Sequence, residues 1–195
     1  MAAPSFPEPA LASQAVFRAL MDAFARPGEI KPLRHTAAAP LPLSATAAAV
    51  ASALLDYETP LWLDAPLAGL PAVAEWIRFH AGARVTGDPR QAAFAIIADP
   101  EQAPPFDQFA LGTPEYPDRS TTLVLQVSGF GRGQRWSLSG PGIAESAILA
   151  ADPMPSDLAD RLAANRALFP RGVDLVLVSP DAVAALPRSV TLQRG

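Results

Sequence analysis

The chain contains no cysteine, which excludes disulfides, thiol nucleophiles, cysteine-ligated zinc and iron–sulfur clusters held by its own residues. Radical chemistry of that kind has to come from another chain. Histidine is almost as scarce. His35 and His80 stand far apart without ligand spacing, so no metal site is expected. Lys31 is the single lysine, and any Schiff-base mechanism would have to use it. It follows directly on a Pro27-Gly28 helix stop, a poor place for a lysine buried in a cleft, and no cofactor is expected. There is no Gly-x-Ser-x-Gly elbow, no P-loop and no dinucleotide fingerprint. Charge is also sparse: 17% of residues are charged and the net charge is −4, which gives no general attraction to nucleic acid or to an anionic membrane.

A membrane-length apolar run is missing as well. Residues 36–55 carry no charge, but Pro40 and Pro42 interrupt them and their many alanines add little apolar drive, so they read as a loop followed by an alanine-rich helix. The N-terminus lacks the positive and apolar regions of a secretory signal, and a cytoplasmic protein is expected.

What is present suits a compact fold. The 195 residues fit a single α/β domain over residues 13–195, preceded by a proline-rich N-terminal arm, residues 1–12. The 22 prolines and 12 glycines fall short of the ~25–30% that marks low-complexity chains, so they act as punctuation. Half the residues are hydrophobic, leaving a lean polar surface that calls for a partner.

Ser13 is the expected N-cap of a first helix, with Val16, Phe17, Leu20, Met21 and Phe24 on one face and an Arg18–Asp22 ion pair on the other. A second helix is predicted over 44–56, a short buried strand over 59–64 and a third helix over 70–81. In the third, Val73, Trp76, Ile77 and His80 form one stripe, and Phe79 lies off it as a contact aromatic. A strand is expected over 92–98, then an irregular stretch over 99–120. Residues 121–127 and 134–139 read as an antiparallel hairpin joined by a glycine-rich tip. A helix within 155–168 and a doubly buried strand over 173–178 follow, then a short helix over 180–187 and an extended end. The pattern predicts a three-layer α/β/α sandwich around a mixed central sheet with one antiparallel hairpin.

Candidate binding residues fall into three groups. Gly140-Pro141-Gly142-Ile143 is either a phosphate cradle or a tight turn between closely packed backbones; Pro141 has no N–H to give, and no third glycine follows. Arg18, Arg78, Arg171 and Arg188 are candidate cations for a phosphate-bearing ligand, and His80 beside Arg78-Phe79 is either a ligand contact or a hydrogen-bonded histidine at the core edge. Asp174 lies inside a buried strand and needs a partner, either Arg171 or Arg188. Asp56, Glu58 and Asp64 cluster in sequence, as residues at helix and strand ends commonly do.

Several segments occur together in order: Phe17-Arg18-Ala19-Leu20-Met21, Arg26-Pro27-Gly28, Glu58-Thr59-Pro60-Leu61-Trp62-Leu63, Arg78-Phe79-His80 and Gln91-Ala92-Ala93-Phe94-Ala95. Leu111-Gly112-Thr113-Pro114-Glu115-Tyr116-Pro117, Thr121 through Val127, Leu138-Ser139-Gly140-Pro141-Gly142-Ile143 and Phe169-Pro170-Arg171-Gly172-Val173-Asp174-Leu175 complete the set. In this combination the chain resembles the PhnH family, the H subunit of the carbon–phosphorus lyase core complex of bacterial phosphonate metabolism. The resemblance implies a fold like that of pyridoxal-phosphate-dependent transferases without the cofactor, and partnership with the G, I and J subunits. It implies a role in joining a phosphonate to the ribose of a nucleoside triphosphate, giving a ribose 1-phosphonate 5-triphosphate, with carbon–phosphorus cleavage left to the J subunit. It supplies no catalytic residues. Two readings stand: a scaffold or regulatory subunit that self-associates as a homodimer when alone, and an independent binding protein or transferase with a nucleotide or phosphonate pocket near Gly140–Ile143.

Overall fold

The computed structural model describes residues 8–34 and 37–194. Residues 1–7 of the expected arm, and His35, lie outside them. The first helix, α1 (Glu8–Ala25), begins five residues before Ser13, so residues 8–12 are helical and the expected cap is an interior position. Its buried stripe is Val16, Leu20 and Ala23 with Phe24 partly covered, whereas Phe17 and Met21 face outward. Arg18 does not hold Asp22; Arg26 does, at 3.5 Å. Both pairings have i,i+4 spacing, and Arg26 at the end of the helix adds a cation where the helix dipole is negative.

Strand β1 (Lys31–Pro32) leads to α2 (Ala45–Leu54), capped by Ser44, whose Oγ accepts the Ala47 N–H at 3.1 Å. Ala47, Ala48, Ala49 and Ala51 are all buried, and their small side chains let α2 lie close against α1. Strand β2 (Leu61–Leu63) is followed by a single helical turn, α3 (Ala65–Ala68), and by α4 (Pro71–His80). Strands β3 (Phe94–Ile97) and β4 (Thr122–Gln126) flank the irregular stretch, which carries short 3-10 turns at Pro100–Gln102, Phe106–Gln108 and Pro117–Arg119. Then come β5 (Gly129–Ser139), β6 (Ala147–Asp152), α5 (Leu158–Ala167), β7 (Asp174–Val178), β8 (Ala182–Leu186) and β9 (Thr191–Arg194).

The main sheet runs β1-β8-β7-β4-β3-β2, with β2, β3, β4 and β7 parallel and β8 antiparallel to both its neighbours. Period-2 alternation sorts its side chains onto two layers. The row Ile96, Val124, Val176, Ala185 packs under α1, α2 and α4, and the next row, Ile97, Leu125, Leu177, Ala184, packs against the opposite layer. That opposite layer holds α5, Phe106 and Phe109, together with a three-stranded antiparallel sheet in the order β6-β5-β9. The α/β/α expectation therefore holds on one face only, because the other face is largely sheet on sheet.

Two further expectations are corrected. Strands β4 and β5 do not form a hairpin: β4 lies between β3 and β7, while β5 pairs with β6 and β9 in the smaller sheet. The glycine-rich stretch that looked like a hairpin tip is the outer part of β5, with a register irregularity between Phe130 and Arg135. Residues 182–186 form β8 rather than a helix, every one of them buried. A run of small apolar residues gives no period to separate helix from strand, and pairing with β7 decides it. Among the described residues no helix is long and apolar enough to cross a membrane.

Candidate functional site

Asp174 opens β7, and its partner is Arg188, not Arg171. Arg188 Nε lies 3.1 Å and 3.2 Å from the two carboxylate oxygens, Nη2 also bonds the carboxylate, and the Arg188 backbone N–H donates to Oδ1 at 2.7 Å. The rest of the guanidinium braces neighbouring loops. Nη1 donates to the carbonyls of Pro117 (2.8 Å) and Pro170 (3.2 Å), and Nη2 to Ser120 Oγ (2.6 Å). One planar fork thus ties together residues 117–120, 170 and 174, a geometry that an ammonium could not reproduce. Gly172 N–H closes the same junction on Leu111 O at 2.9 Å. Flanking it, Tyr116 is 52% and Phe169 63% exposed, with the Arg119 guanidinium 4.3 Å over the Tyr116 ring.

The Gly140-Pro141-Gly142 turn links β5 to β6. Gly142 has φ +83°, and a Cβ there would lie 2.4 Å from Ala25 O and 2.9 Å from Pro27 Cδ. Across the contact, a Cβ on Gly28 (φ +89°) would meet Leu138 Cδ1 at 2.7 Å and Ala147 Cβ at 2.9 Å. The turn and the end of α1 interlock through glycines because no side chain fits between them. The Ile143 N–H donates to Gly140 O at 3.2 Å, inside the turn itself.

Arg78 and His80 lie on the outer surface of α4, far along the chain from the other candidates. The helix buries Val73 and Ile77 and leaves Arg78, Phe79 and His80 exposed, so His80 is not a core-edge residue. Trp76 Nε1 donates to Ala38 O at 2.8 Å, which fixes the indole. The His80 ring stacks on it with centroids 4.5 Å apart and planes at 25°, and Phe79 meets His80 edge-on at 4.9 Å. Phe79 is 84% exposed. Two open clefts meet here. One, about 480 Å³, is lined by Glu75, Arg78 and Arg84; the other, about 650 Å³, by Glu75, Trp76, Arg78, Phe79 and His80. Arg84 was not singled out in the sequence, where it sits alone between Ala83 and Val85 with no motif around it.

The structure therefore separates the sequence candidates. Asp174 and Arg188 meet in a brace, with Arg171 nearby in the chain; Arg78 and His80 share α4; Gly140, Gly142 and Ile143 form a turn against the end of α1; Arg18 lies on the outer face of α1. The acidic cluster divides too. Asp56 and Glu58 are exposed, Asp56 Oδ1 accepting from Glu58 N–H and Thr59 Oγ1, whereas Asp64 is 6% exposed. The Asp64 carboxylate ties the end of β2 to the end of β3, accepting N–H bonds from Ala98 (2.7 Å), Asp99 (3.0 Å) and Leu67 (3.4 Å). Burial pushes its pKa above the ordinary value, against the opposing pull of those three bonds. Among the described residues no group of three or more histidine, aspartate or glutamate side chains could hold a metal ion.

These features define a class: a mixed α/β protein in which one arginine braces the loops and an aromatic, cationic helix face lies open. The chain belongs to the PhnH family, described as bacterial phosphonate metabolism proteins, whose family model matches residues 4–193. It is 47% identical over 190 residues to the alpha-D-ribose 1-methylphosphonate 5-triphosphate synthase subunit PhnH of Rhizobium meliloti (strain 1021), covering 97% of this chain and 94% of the relative. It is 35% identical over 179 residues to the putative C-P lyase subunit protein HtxG of Stutzerimonas stutzeri, covering 90% of this chain and 83% of that protein.

Proposed function

We propose that this chain is a subunit of an α-D-ribose 1-methylphosphonate 5-triphosphate synthase in phosphonate catabolism, acting as a scaffold or regulatory component within a carbon–phosphorus lyase assembly. The observation that carries this reading is near full-length identity of 47% to a protein bearing that subunit name. Its partners are the other subunits of the assembly, for which the family resemblance implies G, I and J, and its compartment is the cytoplasm. The chain offers little for turnover of its own: Asp174 and Arg188 hold each other, and the amide of Ile143 closes its own turn.

Within this reading the fold is of the pyridoxal-phosphate transferase type without the cofactor. Lys31 supports that. It lies on the two-residue strand β1 at the sheet edge, with Nζ 2.5 Å from Glu29 Oε2, a paired ammonium unsuited to a Schiff base. When isolated, the chain pairs with itself through the outer face of α1, where Leu11, Phe17 and Met21 are exposed.

Native mass spectrometry of the chain co-expressed with the other subunits tests the reading: a stable mixed complex is expected. The isolated chain, incubated with ATP and methylphosphonate, should release no adenine. Failure to enter any complex, or adenine release by the lone chain at the rate of the full assembly, would overturn it.

A further inference from the structure

We propose that the outer face of α4 is the surface on which another subunit of the synthase docks, with Phe79 as the apolar anchor and Arg78 and Arg84 receiving carboxylates of that partner. The inference rests on the subunit reading above and adds to it the place and chemistry of the contact.

Phe79 carries the anchor argument. Its ring is 84% exposed, yet it is not loosely held, because it packs edge-on against His80, which stacks on Trp76, which is tied to Ala38 O. A large aromatic presented in a fixed orientation loses little freedom on binding, and aromatics and arginines are the residues that dominate protein interfaces. Charge carries the choice of partner. Among the described residues the guanidinium groups of Arg78 and Arg84 have no ion-pair or hydrogen-bond partner, so both are available to a carboxylate, unlike those of Arg26, Arg161 and Arg188, which are each committed to an aspartate. Two free guanidinium groups line one cleft with a single acidic residue, Glu75, on a chain whose net charge is −4. The patch is thus locally cationic on an acidic protein, the arrangement that selects an acidic counter-surface and rejects like charge.

The same count argues against a second copy of this chain. A two-fold contact through this face brings four arginines together against two glutamates. A small anion is disfavoured by shape, since ligand sites enclose most of their ligand and these clefts are open along the helix.

The test uses the full chain co-expressed with the other subunits, purified through a tag on one of them, and native mass spectrometry of the product. Phe79→Ala and the pair Arg78→Glu with Arg84→Glu should each weaken retention of this chain tenfold or more, and the charge-reversed pair should lose the salt sensitivity of the wild-type contact. Tyr57→Ala, which removes another exposed aromatic, should retain wild-type occupancy. All three variants alter exposed side chains, so their melting temperatures should match the wild type, separating lost docking from lost folding. Wild-type occupancy for the α4 variants overturns this inference and leaves the subunit reading intact, whereas failure of the wild-type chain to assemble overturns the subunit reading itself. If tripolyphosphate raises the melting temperature of the isolated chain through Arg78 and Arg84 while the variants still assemble, the face is an anion site and the docking inference falls.

Discussion

Replacing Arg188 with alanine removes the whole side-chain fork that joins Asp174, Ser120 Oγ and the carbonyls of Pro117 and Pro170. Asp174 keeps the backbone N–H of residue 188 but loses its counter-charge. Breaking a buried pair in this way costs ~3–5 kcal/mol, because the remaining charge stays desolvated. Here the two side chains retain 14% and 20% of their exposure, so some water reaches them and the lower end applies, about 3 kcal/mol. For a chain of this length each kcal/mol shifts the melting temperature by ~2–4 °C, so Arg188→Ala should melt about 6–12 °C lower. Arg188→Lys should recover only part of the loss, since an ammonium can neutralise Asp174 without spanning the two carbonyls. Removing both charges, as Asp174→Asn with Arg188→Met, should cost less than the sum of the single changes. Thermal unfolding followed by circular dichroism gives the magnitudes, and hydrogen exchange gives the location: the Gly172 amide, bonded to Leu111 O, should lose protection before the core of β7 does. A drop of no more than about 3 °C, the size expected for a solvent-exposed pair, would refute the idea that Arg188 braces these loops.

Gly142→Ala should destabilise by more than the ~1–2 kcal/mol of left-handed backbone alone, because the new Cβ would also lie 2.4 Å from Ala25 O; a melting temperature equal to wild type would disprove the interlock. Asn165 is buried and bonds both the N–H and the carbonyl of Val173 at 2.9 Å, so Asn165→Leu should cost at least ~2 kcal/mol by orphaning both groups, read as a lower urea midpoint. Asn165→Asp should be more destabilised at pH 7 than at pH 4, where protonation relieves the buried charge; equal urea midpoints would count against this. For Asp64 the folded pKa is raised, so the folded state holds its proton longer than the unfolded chain. Stability from this group is greatest below the unfolded pKa and falls as pH rises toward the folded value, and Asp64→Asn should remove that part of the pH dependence in urea titrations from pH 3 upward.

How much of this was legible in the sequence depends on the range of the forces involved. The stop of α1 before Pro27-Gly28, the start of α2 at Ser44 and the buried run of β7 are local, set by backbone chemistry and apolar patterning, and all three are where the sequence puts them. The start of α1 is not, because Ser13 has the chemistry of a cap but lies in a segment whose helix reaches back to Glu8. The pairing of β4 is also illegible. Its neighbours, β3 and β7, are distant in the chain, whereas the sequence neighbour β5 leaves for another sheet. The choice of Arg188 over Arg171 for Asp174 follows from β8, which returns antiparallel to β7 and delivers residue 188 to the start of that strand.

By itself the sequence determined what chemistry the chain lacks and which family it joins, since a missing thiol, a lone lysine and an ordered set of short motifs are facts of composition and order. Tertiary structure alone decided which candidates meet. It turned the Gly140 turn into an interlock with α1 and made Arg188 a brace. It also brought Arg84 beside Arg78 near an exposed Phe79, because the path of the chain after α4 ends at His80, and not helical spacing, sets where residue 84 lies.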